Sequence, residues 1–109
     1  VLSTPPNEIA IPSVVKAELI FGAYKSRNRV GNLDKVEKFL EPFEIVSFND
    51  MMTYVYAEIR YKTETIGCNV GSNDLFIGSI VKFHEGILIT NNEKEFKRIE
   101  GLKIENWAE

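Results

Sequence analysis

The sequence predicts an α/β fold, a three-layer arrangement in which a parallel sheet carries helices on both faces. Short strand-like runs alternate along the chain with helix-length segments of 3.6-residue periodicity, the pattern of β–α crossovers. Ile87-Leu88-Ile89 shows no polar alternation, as expected of a strand inside a parallel sheet. The segment from Leu75 to Val81 is apolar nearly all round, which marks a central helix.

After Val1-Leu2-Ser3 the chain passes into Thr4-Pro5-Pro6-Asn7, a turn signature. Glu8 to Ile11 reads as a short strand, and Pro12-Ser13 opens a helix from about Val14 to Lys25 with Ser13 as its N-cap. Ser26 to Asn32 is polar, contains Gly31 and reads as a loop. Leu33, Val36, Phe39 and Leu40 then show a helical spacing that Pro42 ends. Phe43 to Phe48 has the β-branched and aromatic content of a strand. Asn49 or Asp50 caps a longer helix, about Met51 to Glu64, in which Met52, Val55, Tyr56 and Ile59 share one face. Met51, Tyr54 and Tyr61 widen that apolar band beyond what one buried face needs, so part of it is a candidate surface for a second copy or another partner, as is the helix holding Phe21 and Tyr24.

Thr65 to Asn73 holds two glycines and no periodicity, a loop that delivers Asp74 to the start of the central helix. That helix runs to about His84 and is capped by Gly86. After the strand Ile87-Leu88-Ile89, Asn92 to Arg98 is a short helix. Leu102 to Trp107 alternates like an edge strand with one wet face.

A length of 109 residues with 44% hydrophobic content fits one compact domain spanning residues 1–109. The net charge of -3 argues against a protein that coats nucleic acid by bulk charge, though not against a local basic patch. Lys25, Arg27 and Arg29 form one basic cluster, and Lys94, Lys97 and Arg98 another; both read as solvated faces. The lone Cys68 cannot make an internal disulfide, and a reducing, cytoplasmic setting is expected. His84, at a helix end, suits the helix dipole. No apolar run is long enough to cross a bilayer, so no membrane association is expected.

Two carboxylates stand out. Glu18 is the one acid in the apolar and small segment Val14 to Ala23, and Asp74 stands at the mouth of the run Leu75 to Val81. Acids are seldom buried without a proton, a cation or a metal to balance them. The strand Ile87-Leu88-Ile89 ends in Thr90-Asn91-Asn92, a cluster of hydroxyl and amide groups, so a polar site is expected above the sheet. A phosphoacceptor domain shares this element order but would want a lysine just past a late strand, which this cluster does not offer.

Four segments, Pro12 to Leu19, Gly71 to Ile77, Leu88 to Phe96 and Gly101 to Trp107, together resemble a PIN domain and more narrowly the VapC toxins of prokaryotic toxin–antitoxin pairs. The likeness runs from about Asn7 to Trp107. It implies a PIN-like fold and a Mg²⁺- or Mn²⁺-dependent endoribonuclease whose acids gather at the C-terminal edge of a parallel sheet. By this resemblance Glu18, Asp74 and Asn92 are the metal-site residues, Thr90 orients water, and Glu95 supplies a charge that Asn92 lacks. Single-stranded RNA is the implied substrate, because a splayed backbone enters a cleft that a duplex cannot. A cognate antitoxin and a second copy of the chain are the implied partners.

The family's first aspartate lies on an N-terminal strand, and no such strand precedes Pro5. The fold is therefore expected to lack its first strand, the domain to be truncated at its N-terminus, and the 109-residue chain to cut RNA poorly if at all. A non-catalytic PIN-like binding scaffold is the alternative reading.

Overall fold

The computed structural model describes residues 9–90 and 92–106, which fall into two compact units divided after Ser47. Both units are built from parallel strands and helices.

The first unit runs β1 (Ala10–Pro12), α1 (Ser13–Lys25), α2 (Arg29–Leu40) and β2 (Glu44–Val46). β1 and β2 pair in parallel, Ala10 opposite Glu44 and Pro12 opposite Val46, so the two helices form the crossover that parallel strands require. Pro12 carries no N–H for the ladder and has φ -60°, which suits it to end the strand and stand before the helix. Ser13 is thus the first helical residue rather than the N-cap, and no side chain caps α1.

α2 begins four residues before Leu33, inside the segment expected to be a loop. Asn28 explains the early start: its Oδ1 accepts the Gly31 N–H at 3.1 Å, which satisfies an open donor of the first turn. β2 is shorter than the expected Phe43 to Phe48, and Phe43 instead packs edge-on against Phe39 with ring centroids 5.6 Å apart.

The second unit runs α3 (Met52–Thr65), α4 (Ser72–Phe83), β3 (Ile87–Ile89), α5 (Glu93–Phe96) and β4 (Lys103–Glu105). Asn49 opens α3 as expected, its Oδ1 accepting the Met52 N–H at 3.1 Å. β3 and β4 pair in parallel, Leu88 opposite Ile104. Ile59 of α3, Leu75 of α4, Leu88 of β3, and Phe96 and Ile99 around α5 form the buried core. Beside it, Tyr56 stacks on Phe76 at 4.7 Å and Phe48 meets Phe76 edge-on at 4.9 Å, an arrangement aromatic quadrupoles favour.

α4 is the central helix of this unit, with Leu75, Gly78, Ser79 and Ile80 buried. A Cβ on Gly78 would lie 2.7 Å from Ile99 Cδ1, so glycine is what allows the close approach. The buried Ser79 hydroxyl donates to the Leu75 carbonyl at 2.6 Å and is left with no unmet hydrogen bond.

β3 departs from expectation. Leu88 is buried, but Ile87 and Ile89 are 50% and 40% exposed. Among the described residues β3 pairs with β4 alone, so its second edge carries no neighbour to cover those side chains. The Trp107 end of the predicted last strand lies outside the described residues.

α4 ends in a Schellman motif: the Gly86 N–H donates to the Val81 carbonyl and the Glu85 N–H to that of Lys82, both at 3.0 Å. Glu85, not Gly86, holds the left-handed position, with φ 55°. A side chain there costs about 1 kcal/mol, so Glu85→Gly should raise unfolding stability by roughly that amount in denaturant titration. A decrease would show that the Glu85 side chain makes a compensating interaction.

Candidate active site

Each residue singled out in the sequence has a distinct structural setting. Asp74 is the third residue of α4, half-buried in its first turn, where a carboxylate complements the helix dipole. Thr90 directly follows β3, and its N–H extends the parallel ladder by donating to the Glu105 carbonyl at 3.0 Å. Its hydroxyl oxygen accepts the Asn92 N–H at 2.9 Å, which folds the chain sharply between β3 and α5. Asn92 stands at the N-cap of α5, exposed and with no side-chain capping bond. Glu95 is half-buried in α5.

These four residues belong to the second unit. α4 is joined to β3 by a tight turn and packs on it, so the start of α4 lies toward the edge at which β3 ends and α5 begins. Asp74, Thr90, Asn92 and Glu95 are therefore all contributed by segments that meet that C-terminal edge of the strands, where α/β proteins place their chemistry.

Glu18 sits in the middle of α1, in the first unit, and is exposed. The expectation of a buried acid in an apolar helix is corrected here. Ala23 alone of α1 is buried, and Leu19, Phe21 and Tyr24 are exposed as well, so Glu18 needs no counter-charge on grounds of desolvation.

Glu95 has the most informative environment. Its Oε1 is buried and accepts no hydrogen bond among the described residues. Arg98 is close, with Nη1 3.7 Å away, too long for a hydrogen bond, and the same Nη1 donates to the Asn69 carbonyl at 2.6 Å. A carboxylate oxygen in that state is costly unless a further cation or donor meets it. The sequence reading grouped Arg98 with a solvated basic cluster and missed its place beside Glu95. The i, i+3 spacing of the two on a helical segment is the signal that could have found it.

The metal-suited donors of Asp74, Thr90, Asn92 and Glu95 are oxygens, and among the described residues the buried atom without a hydrogen bond is the Glu95 carboxylate oxygen. That set suits Mg²⁺ or Mn²⁺ with much of the coordination shell left to water. Among the described residues no three histidine, cysteine, aspartate or glutamate side chains gather as an ion-holding cluster. The fit is thus to a hydrated ion rather than a protein cage. Among the described residues, two hollows of the second unit are lined mainly by other residues. One of about 190 Å³ is lined by Tyr61, Thr65 and Arg98 among others, and one of about 370 Å³ by Lys82, Gly101 and Lys103 among others.

With this geometry in place, comparison with known proteins gives the family. The PIN domain profile matches residues 2–102, and the chain belongs to the PIN domain family. It is 45% identical over 101 residues to the ribonuclease VapC2 of Rickettsia felis, covering 93% of this chain and 75% of that protein. It is 33% identical over 102 residues to the tRNA(fMet)-specific endonuclease VapC of Salmonella typhimurium, covering 94% of this chain and 77% of that one. Among solved structures it resembles VapBC2 from Rickettsia felis bound to a DNA fragment from their promoter, with a TM-score of 0.87 and 44% identity over 91% of this chain and 74% of the other.

If Asp74 helps to hold a hydrated ion, Mn²⁺ should raise the thermal midpoint of the protein and Asp74→Asn should abolish that rise. An equal Mn²⁺ shift in parent and variant would remove Asp74 from the site.

Proposed function

We propose that the protein is a divalent-metal-dependent endoribonuclease of the toxin–antitoxin type, acting on single-stranded RNA and restrained by a cognate antitoxin. The observation that supports this reading is that Asp74, the Thr90–Asn92 turn and Glu95, whose Oε1 is buried without a hydrogen bond among the described residues, are carried by segments that run to one strand edge. Support comes from the relatives named as VapC ribonucleases and from the solved structure in which such a protein is paired with VapB. The resemblance read in the sequence adds Glu18.

A bound Mg²⁺ or Mn²⁺ polarises a phosphoryl oxygen and makes water a stronger nucleophile at neutral pH. Asp74 would contribute a carboxylate oxygen for it, and Glu18 is the second acid that the family resemblance names for this role. The Thr90 hydroxyl and the Asn92 amide orient water and substrate oxygen by hydrogen bonds. Glu95 adds negative charge, and Arg98 beside it keeps that carboxylate from being an isolated buried anion. The reaction is hydrolysis of an RNA phosphodiester: water adds at phosphorus, the bond to the leaving ribose oxygen breaks, and that oxygen takes up a proton.

With the full-length gene product, Mg²⁺ should support cleavage of single-stranded RNA, and Asp74→Asn or Glu18→Gln should each lower the rate about a thousandfold, the scale of losing one charge-stabilising group. Cleavage that survives both substitutions would contradict the assignment. Absence of cleavage on every RNA tried would favour the binding-scaffold reading.

The association reading has its own support. Met51, Tyr54 and Tyr61 are exposed around α3, at 58%, 73% and 73%, which is the apolar band marked in the sequence as a partner surface. The protein is expected to sediment as a dimer, and Tyr54→Glu combined with Tyr61→Glu to yield a monomer. A monomeric parent at roughly tens of micromolar would count against a standard-sized interface.

A further inference from the structure

We propose that the C-terminal half of α1 and the turn into α2 form a track for single-stranded RNA, with Phe21 and Tyr24 stacking on bases and Lys25, Arg27 and Arg29 holding phosphates. The inference rests on the ribonuclease reading and adds to it the surface that guides the substrate strand.

Phe21 and Tyr24 are 57% and 48% exposed, and each ring carries a cation. Lys25 Nζ lies 5.0 Å from the Phe21 centroid, and Arg29 Cζ lies 4.6 Å from that of Tyr24. Single exposed aromatics are ordinary. Two rings, each with a cation over it, on one helix end are not.

Among the described residues Lys38, Arg60, Lys62, Lys97 and Arg98 lie beside carboxylates. Among the described residues Lys25, Arg27 and Arg29 have no carboxylate partner, in a chain whose net charge is -3. Leaving three cations unneutralised within five residues is a cost from mutual repulsion that a polyanion relieves.

The turn itself separates the roles of its residues. Ser26 Oγ–H donates to the Ala23 carbonyl at 2.6 Å and accepts from Asn32 Nδ2 at 2.8 Å, while Asn28 Oδ1 accepts the Gly31 N–H. The two polar residues between the cations are thus consumed in holding the turn. Arg29 Nε–H donates to the Tyr24 carbonyl at 3.3 Å, which fixes the guanidinium over the ring and leaves its Nη groups for phosphate.

Placement on α1 supplies the link to chemistry. Glu18, Phe21 and Lys25 recur at i, i+3 and i+7 and share a helix face. At 1.5 Å per residue, Lys25 lies about 10 Å along the axis from Glu18, within reach of one bound strand. Aromatic stacking with alternating cations is the chemistry by which proteins hold single strands without reading sequence. An acidic protein segment would match the charge but not make use of ring faces prepared for stacking.

Fluorescence anisotropy with a labelled single-stranded RNA tests the track, using the full-length gene product in EDTA so that no cleavage occurs. Lys25→Ala, Arg27→Ala and Arg29→Ala together should weaken binding at least tenfold and lower the slope of log affinity against log salt by about 2, at roughly 0.7 per phosphate contact. Phe21→Ala should weaken binding about fivefold or more with the salt slope unchanged. Lys94→Ala with Lys97→Ala should alter neither. If the triple variant fails to fold, Arg27→Glu, at an exposed turn position, should still lower affinity several-fold.

Asp74→Asn should bind RNA as the parent does while failing to cut it, which separates this inference from the ribonuclease reading. Asp74-dependent cleavage with RNA affinity indifferent to the α1 substitutions would overturn the track and leave that reading intact. The track is equally overturned if the parent binds no RNA, or if the triple variant loses only its hold on the co-expressed antitoxin.

Discussion

The burial of α4 is the constraint on which the second unit depends. Leu75, Gly78, Ser79 and Ile80 place neighbours on more than one side of the helix, and Gly78 allows the Ile99 side chain to approach where any Cβ would interfere. A helix covered in this way has little freedom to slide or rotate, because interiors are close-packed and transmit displacement. Its first turn is therefore held in place, and with it Asp74. The Schellman turn at its other end commits the chain directly to β3, whose end becomes the Thr90–Asn92 turn. Packing of α4 thus sets the positions of Asp74 and of the Thr90–Asn92 turn.

The first unit is organised differently. Ala23 and Leu40 are its buried helix residues, and much of the apolar surface of α1 faces outward. Local hydrogen bonds of Ser26, Asn28 and Asn32 hold the α1–α2 turn in place of a large core. Such an arrangement leaves side chains free to meet ligands, at the cost of stability that burial would have contributed.

The elements whose signals are local were legible in the sequence. Ile87-Leu88-Ile89 reads as a strand with its observed bounds, since β-branched content and the flanking glycine act within the segment itself. The start of α2 was not legible, because polarity at Arg29 to Asn32 suggests a loop until the Asn28 cap is known. Burial of Glu18 was misjudged for a related reason. An apolar neighbourhood in sequence implies burial only if something covers the helix, and Phe21 and Tyr24 show that much of α1 is open. Asp74, Thr90 and Asn92 are singled out by the family resemblance of their segments, whereas the Glu95–Arg98–Asn69 arrangement depends on a contact across 29 positions and on burial that periodicity does not encode.

The central claim is that a divalent ion binds at the edge where α4 begins and β3 ends. Paramagnetic broadening of backbone amide resonances during a Mn²⁺ titration tests it most directly, because the effect falls steeply with distance from the ion. The account predicts that Asn73, Asp74, Leu75 and Thr90 broaden first, with Glu95 among the early losses. Broadening that begins instead at the opposite end of the strands, around Lys82, Glu85 and Gly101, or that spreads evenly over the surface acids, would contradict it.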